Sequence, residues 1–305
     1  MTSTEYAGIS TEKIESALGY GAVLGTCFLL LNALFGKSAK KKGGRTGRVF
    51  VELQRKSFHM IGGCILAACY QWGMKWGYFT SAFLGSDHLA NIPNRPFDGG
   101  SAYVALCLIE WIIEFIRLQV PAVRTMWLRT FRGLVREKEH NAASGLAYFL
   151  PGITAAMLAA PPNAAILAIL YLSVGDAAAS IGTAAGVIPV GSSKRRVEGS
   201  IGCFIVCSVI GAYVGLETRV ALMSAGIVTL GEVLAEVIGL DDNFVIPLMG
   251  VVGLRIALAP QYGYMAATMG AGVGVGAALG LVVSFTGREP SAKAVAAKAA
   301  AAKSK

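Results

Sequence analysis

The chain has 305 residues, of which 54% are hydrophobic and only 15% charged, with a mean hydropathy of +0.59 and a formal net charge of +9. A soluble domain carries about 25% charged residues, and several apolar stretches here approach the roughly 20 residues that a helix needs to cross a bilayer. An ordinary soluble enzyme is therefore excluded. The expected class is an all-α, polytopic membrane bundle, with no nucleic-acid partner for a basic charge that sits between apolar segments.

In chain order, residues 1–13 form an N-terminal tail. The opening "MTSTEYAGISTEKIES" carries Glu5, Glu12 and Glu15 and has neither the basic start of a signal peptide nor the Arg-rich character of a transit peptide. About nine apolar segments follow within an integral membrane domain over 14–286. They lie near 14–35, 57–73, 102–116, 144–160, 163–182, 200–216, 219–238, 244–259 and 263–285. Short breaker-rich turns separate several of them, such as "APPN" at 160–163 and "GLETR" at 215–219. Loop 74–100, with "DHLANIPNRPFDGG" and His88, reads as an exposed outer loop. Residues 287–305 are an Ala/Lys-rich tail whose lysines trace no single helical face. The cysteines Cys27, Cys64, Cys69, Cys107, Cys203 and Cys207 all fall inside apolar segments and read as packing residues.

Nine crossings with the N-terminus outside would place 22 of the 27 lysines and arginines on one side, in loops 37–56 and 117–138, in "KRR" at 194–196 and in the tail. Excess Lys/Arg in short loops marks the cytosolic face.

With that topology drawn, the ionisable residues collect at the same face. "ELQRKSFH" supplies Glu52, Arg55, Lys56 and His59, and "EWIIEFIR" supplies Glu110, Glu114 and Arg117. Glu114 and Arg117 are i,i+3 neighbours and read as a structural pair. "REKEHNAASG" (136–145), "GSSKRRVEGS" (191–200) and "GLDDNFVIP" (239–247) complete the set. Basic residues flanking membrane helices are ordinary, so the acids are the more informative. Asp176 in "SVGDAAASIG" is an unpaired carboxylate among small residues, and a buried carboxylate needs a partner, a cation or a proton. Asp176, Glu198, Asp241 and Asp242 on one face with several Lys/Arg is what a Mg²⁺–polyphosphate site requires. "KRRVEGS" leads into a helix whose N-terminal N–H groups favour phosphate. Neither GxxxxGK[ST] nor GxGxxG is present. The residues alone leave two readings open, a cytosolic nucleotide–metal site and a transporter with intramembrane charges.

The run "GDAAASIGTAAGVIPVGSSKRRVEGSIG", with "DDNFVIPL" downstream and Glu52-x-x-Arg55-Lys56-x-x-His59 upstream, resembles the CTP-dependent polyprenol kinase family. That family includes dolichol kinase, phytol/farnesol kinase and CTP-dependent diacylglycerol kinase. Four ordered motifs over residues 52–247 carry the likeness, which covers about two-thirds of the chain. The loop "REKEHNAASGLAYFL" is closer to the diacylglycerol and dolichol kinase branches, and the chain is short for a dolichol kinase.

The resemblance implies a membrane kinase that moves the γ-phosphoryl of CTP to a lipid hydroxyl at the cytosolic leaflet. Diacylglycerol is the favoured lipid, and dolichol or phytol/farnesol are alternatives. It implies Mg²⁺ or another divalent cation, with Asp176, Asp241, Asp242 and Asn243 as metal candidates and Asp176 also as proton acceptor. Lys194, Arg55 and Lys56 would hold phosphates, and the Gly199–Ser200 helix start would hold a phosphate oxygen. Gly175 and Gly182 would let the backbone approach the nucleotide, and Glu198 would be a further metal ligand or base. A competing explanation for the glycines is small-xxx-small helix packing. A helix running unbroken past Asp176 would leave it about 15 Å below the helix end, so a break near Gly175 or a polar cavity is expected. A phosphatidate cytidylyltransferase-like activity is the alternative within CTP chemistry. The endoplasmic reticulum membrane is the expected location, with a plastid membrane second, and the sequence sets no oligomeric state.

Overall fold

A computed structural model describes residues 8–76, 100–131, 134–190 and 194–258. The ninth expected segment at 263–285, the Ala/Lys tail and His88 with nearly all of its loop lie outside the described residues.

The described residues form an all-helical bundle, and one isolated antiparallel bridge, Pro189 to Arg196, is the β pairing among them. The helices are α1 (Thr11–Lys42), α2 (Gly44–Trp76), α3 (Gly100–Gln119), α4 (Pro121–Thr130), α5 (Gly145–Ala159), α6 (Pro162–Leu170), α7 (Asp176–Ala185), α8 (Val197–Tyr213), α9 (Thr218–Ile238) and α10 (Asp242–Leu258). Seven of the first eight expected apolar segments lie within one helix each, to within about three residues, and the fifth spans α6, the turn after it and α7; residue 259 lies outside the described residues.

Loop 37–56 is not a loop. Its lysines and arginines continue α1 and α2, as good helix formers do, and the chain reverses only at Gly43–Gly44, with φ of 67° and 64°. That left-handed backbone suits glycine and few other residues. At 32 and 33 residues, α1 and α2 are each about 50 Å long, well beyond a hydrocarbon core of about 30 Å. Their shared tip carries Lys40–Lys42, Arg45 and Arg48. Loop 117–138 likewise contains a helix, α4, with Met126 and the following Phe131 exposed.

Among the described residues, three helical stretches are long and apolar enough to cross a membrane: Thr11–Lys42, Pro162–Ala185 and Thr218–Glu236. They differ in placement. The most apolar window of Pro162–Ala185 is 83% buried inside the bundle, against 22% for Thr11–Lys42. The α6–α7 rod is therefore the axis of the fold, with α2, α5, α8 and α10 packed around it. At the periphery, α3 exposes Leu108, Ile109, Ile112 and Phe115, an apolar surface too extended for a monomer in water.

The core runs along that axis through Ile166, Leu167, Ile169, Leu170 and Tyr171, all essentially inaccessible. Tyr171 places its hydroxyl 3.1 Å from Ser224 Oγ of α9, so its polar atom is satisfied within the core.

Candidate functional site

Between α6 and α7, residues Tyr171–Gly175 form a π-helical turn, and Asp176 follows it directly. A π turn inserts a residue into the helical register and often marks a functional position. The break expected near Gly175 thus takes the form of this turn in a rod that stays continuous and is covered by protein. Asp176 is completely buried.

Its partner comes from α2. Glu52, Arg55, Lys56 and His59 recur at three- and four-residue steps and share one face of that helix. Lys56 Nζ forms an ion pair with Asp176 Oδ2, both side chains fully shielded from solvent. His59 Nε2 lies 3.5 Å from the same oxygen, with its ring edge-on to Phe149. One turn further along α7, Ser180 Oγ accepts from Arg55 Nη2 at 3.5 Å, while Arg55 also holds Glu52 at 2.6 Å. The second oxygen of Asp176, Oδ1, is buried without a hydrogen-bond partner.

Next to this pair lies a cleft of about 1030 Å³, lined by the neighbouring Glu52, Arg55 and Ser180 and not by Lys56 or Asp176 themselves. Its walls come from the α1–α2 tip, the segment before α5, α7, residues 194–196, the end of α9 and the start of α10. Seven basic side chains, Lys40, Arg48, Arg55, Arg136, Lys194, Arg195 and Arg196, face four acidic ones, Glu52, Glu236, Asp241 and Asp242. Such a cationic excess with acids interspersed matches a polyphosphate accompanied by a metal ion.

The acids at the start of α10 divide their work. Asp241 Oδ1 accepts from the backbone N–H of Asn243 at 3.1 Å and from its Nδ2 at 2.7 Å, closing the helix start. Burial, and then the neighbouring charge of Asp242, push the Asp241 carboxyl up to about 6. Asp242 receives Arg195 Nη2 on Oδ2 at 2.8 Å. Burial disfavours its charge, but Lys56, Arg195 and Arg136 outweigh burial and hold its carboxyl below the ordinary range. Asp242 Oδ1 and Asn243 Oδ1 are buried without hydrogen-bond partners.

Arg195 is the hub of this wall. It pairs with Asp242, contacts Glu232 Oε1 through Nη1, and places Nε 3.5 Å from Glu236 Oε2. Burial works against its charge, but Glu232, Asp242 and Asp176 prevail and raise its pKa. Glu232 and Glu236 are one turn apart on α9, and neither was singled out from the sequence. The available signal was an acid inside an apolar helix, which is costly unless it is used.

Other expected residues sit elsewhere. Lys194 is exposed at the rim, where its backbone N–H donates to Glu236 Oε1 at 2.8 Å. Gly175 packs against Cys207 of α8. Gly182 and Gly199 form the crossing of α7 and α8: a Cβ on Gly182 would come within 2.7 Å of Glu198 O. The backbone N–H groups of Gly199 and Ser200 both donate to Arg196 O, at 2.9 and 3.2 Å. Gly175, Gly182, Gly199 and Ser200 do not line the cleft, so close helix packing accounts for the glycines. Glu198 turns toward residues 187–188, where it accepts their N–H groups. Glu114 and Arg117 are a buried structural pair: Arg117 also donates to the carbonyls of Glu139 and Ala142, and Glu114 accepts from Ser144 N–H.

Among the described residues, no group of three or more His, Cys, Asp or Glu is arranged to enclose a metal. The donors present fit a different case. Mg²⁺ is usually bound through one or two carboxylates, with phosphates and water completing the shell, and Asp242, which lines the cleft, has an unpartnered Oδ1, as does Asn243 next to it in sequence.

No family model and no solved structure matches the chain. Two curated proteins do, both named CTP-dependent diacylglycerol kinase 1. The one from Schizosaccharomyces pombe is 31% identical over 155 residues, 45% of this chain and 70% of that protein. The one from Eremothecium gossypii is 25% identical over 210 residues, 60% of this chain and 64% of that protein. Identity above 30% across more than two-thirds of the fission-yeast protein places this chain in the CTP-dependent lipid kinase family.

Proposed function

We propose that the protein transfers the γ-phosphoryl group of CTP to the hydroxyl of diacylglycerol at the cytosolic face of the endoplasmic reticulum membrane, giving phosphatidate and CDP. Dolichol and phytol or farnesol are the other lipids that the family chemistry allows. The observation that carries the reading is the Lys56–Asp176 pair next to a large cleft of mixed basic and acidic side chains. The names of the two relatives support CTP and diacylglycerol as substrates. The lysine and arginine bias supports the cytosolic side, and with it nine crossings and an N-terminus outside.

Phosphoryl transfer asks for positioning and charge neutralisation more than for covalent help from the protein. Arg55, Arg195 and Lys194 bind the polyphosphate along the cleft. Lys56 moves its charge from Asp176 toward the γ-phosphate, and this frees the carboxylate. Asp176 then accepts the proton of the lipid hydroxyl as the hydroxyl oxygen bonds to the γ-phosphorus. The bond from that phosphorus to the β–γ bridging oxygen breaks, and CDP leaves with the electron pair. Mg²⁺, held by Asp242 and Asn243, would supply neutralisation of the phosphate charge. Asp241 keeps these two residues in place.

The test is purified protein in lipid nanodiscs, given γ-labelled CTP or ATP with diacylglycerol, dolichol or phytol. Label passing from CTP to diacylglycerol is expected. No CTP-dependent transfer to any lipid would overturn the reading. Pyrophosphate and a CDP-lipid would identify a cytidylyltransferase instead.

A further inference from the structure

The segment whose described parts are residues 186–190 and 194–198 carries Lys194, Arg195 and Arg196 to the cleft, and the way those parts are suspended assigns a role to two carboxylates. Its arms run antiparallel: Val190 N–H donates to Arg195 O at 3.1 Å, and Val197 N–H donates to Ile188 O at 2.9 Å. At the base, Glu198 Oε1 accepts from Val187 N–H at 2.8 Å and from Ile188 N–H at 3.3 Å. Glu198 Oε2 lies 3.3 Å from the same Ile188 nitrogen. At the outer end, Glu236 of α9 accepts Lys194 N–H at 2.8 Å and lies 3.5 Å from Arg195 Nε.

We propose that Glu198 and Glu236 are positioning residues that hold this basic hairpin at its two ends, so that its cations meet the nucleotide phosphates in a fixed register. The proposal rests on the kinase reading for its ligand. It removes Glu198 from metal binding and from proton transfer, because its carboxylate is turned to the hairpin backbone and away from the cleft lining. A carboxylate that accepts backbone N–H groups is a strong anchor, since charge-assisted hydrogen bonds are about twice as strong as neutral ones. The packing agrees. A Cβ on Gly186 would fall 2.6 Å from Glu198 Oε2 and 2.8 Å from Arg196 Cβ, so the carboxylate and the last of the three basic residues close on one glycine.

The role predicts a split in kinetic constants. An anchor that orders phosphate-binding cations acts on nucleotide binding, whereas a metal ligand or base acts on turnover and on metal demand. The experiment compares wild type, E198Q, E198A and E236Q as full-length protein in nanodiscs. The KM for CTP is expected to rise about 10- to 150-fold in each variant, the effect of one lost hydrogen bond to a charged group. Turnover should stay within about twofold, and the Mg²⁺ concentration for half-maximal rate should not move. A fall in kcat at unchanged KM, or a shifted Mg²⁺ requirement, would overturn the proposal in favour of chemistry at Glu198, and unchanged constants would overturn it outright. Should E198A fail to fold, E198Q keeps one carbonyl acceptor and nearly the same volume. Amide hydrogen exchange supplies a readout independent of catalysis. E198Q should speed exchange at Val187, Ile188 and Val190, and E236Q at Lys194, even if wild type proves inert with CTP. Unaltered exchange would refute the anchoring while leaving the kinase reading untouched.

Discussion

Lys56 and Asp176 are 120 residues apart in sequence and meet as a fully buried ion pair next to the cleft. Two charges so deep are a poor source of stability, because their desolvation rivals their attraction, and breaking one side alone is costly. Such a pair fits a site that separates the two charges during the reaction. D176N should therefore lower kcat by about 10²- to 10⁴-fold, the usual weight of general acid–base catalysis, with a smaller effect on the KM for CTP. The Asn variant keeps the volume of Asp176 but strands the charge of Lys56, so the protein should still insert and fold with a lowered thermal midpoint. K56M alone should be more destabilised than the pair K56M/D176N, in which no uncompensated charge remains. Thermal midpoints of the two single variants and the double variant check this. Retained turnover in D176N would remove Asp176 from the chemistry.

The crossing of α7 and α8 at Gly182 and Gly199 predicts a different pattern. An added methyl at either position meets backbone atoms, 2.7 Å from Glu198 O for Gly182, and backbone cannot swing aside as a side chain can. G182A and G199A should each lose roughly 1–3 kcal/mol of stability, as overpacked sites do. The fraction that remains folded should show a wild-type KM for CTP. A raised KM at an unchanged thermal midpoint would instead place the glycines against the nucleotide.

The α2 cluster was legible because Glu52, Arg55, Lys56 and His59 follow helical spacing, and Asp176 was legible because an isolated acid in an apolar run demands a partner. Which cation would meet it was not legible, since nothing local links residues 56 and 176. For Glu198 the sequence left the role open for a chemical reason: a motif carboxylate looks the same whether it binds a metal or caps a loop, and its bonds to Val187 and Ile188 N–H support the second. Glu232 and Glu236 were missed inside "TLGEVLAEVIGL", where helical apolarity hid two acids one turn apart. The charged stretch 37–56 was read as a loop because hydropathy marks where a membrane ends and says nothing of where a helix ends.

Sidedness gives a prediction that needs no catalysis. Lys41 lies at the α1–α2 tip and Arg136 lines the cleft, while Glu217 belongs to the turn at the opposite end, beside Ser10. With the exposed Cys27 and Cys69 replaced by alanine, K41C and R136C should react with an impermeant maleimide in sealed microsomes. E217C should react only after permeabilisation. The reverse pattern would move the cleft to the lumen, and labelling of K41C and R136C from opposite sides would dismantle the single-faced site. Access to D176C from the lumen would favour a transporter.

The last prediction concerns Arg195, a single cation shared by Glu232, Glu236 and Asp242. Glu232 is 1% exposed and Asp242 5%, so R195Q strands two buried carboxylates, a change worth about 3–5 kcal/mol. E232Q removes one of three competitors for the guanidinium and leaves Asp242 and Glu236 to hold it, so its cost should be much smaller. The double variant R195Q/E232Q should then be less destabilised than the sum of the two singles, with a coupling of roughly 0.5–3 kcal/mol, as for residues in one ion-pair network. Thermal or denaturant midpoints of the four proteins measure that coupling. Additive losses would mean that Glu232 and Arg195 are neighbours without being partners. CTP should also protect wild type and E232Q against unfolding and protect R195Q far less, because the same guanidinium that balances the acids in the free protein is the one offered to the phosphates.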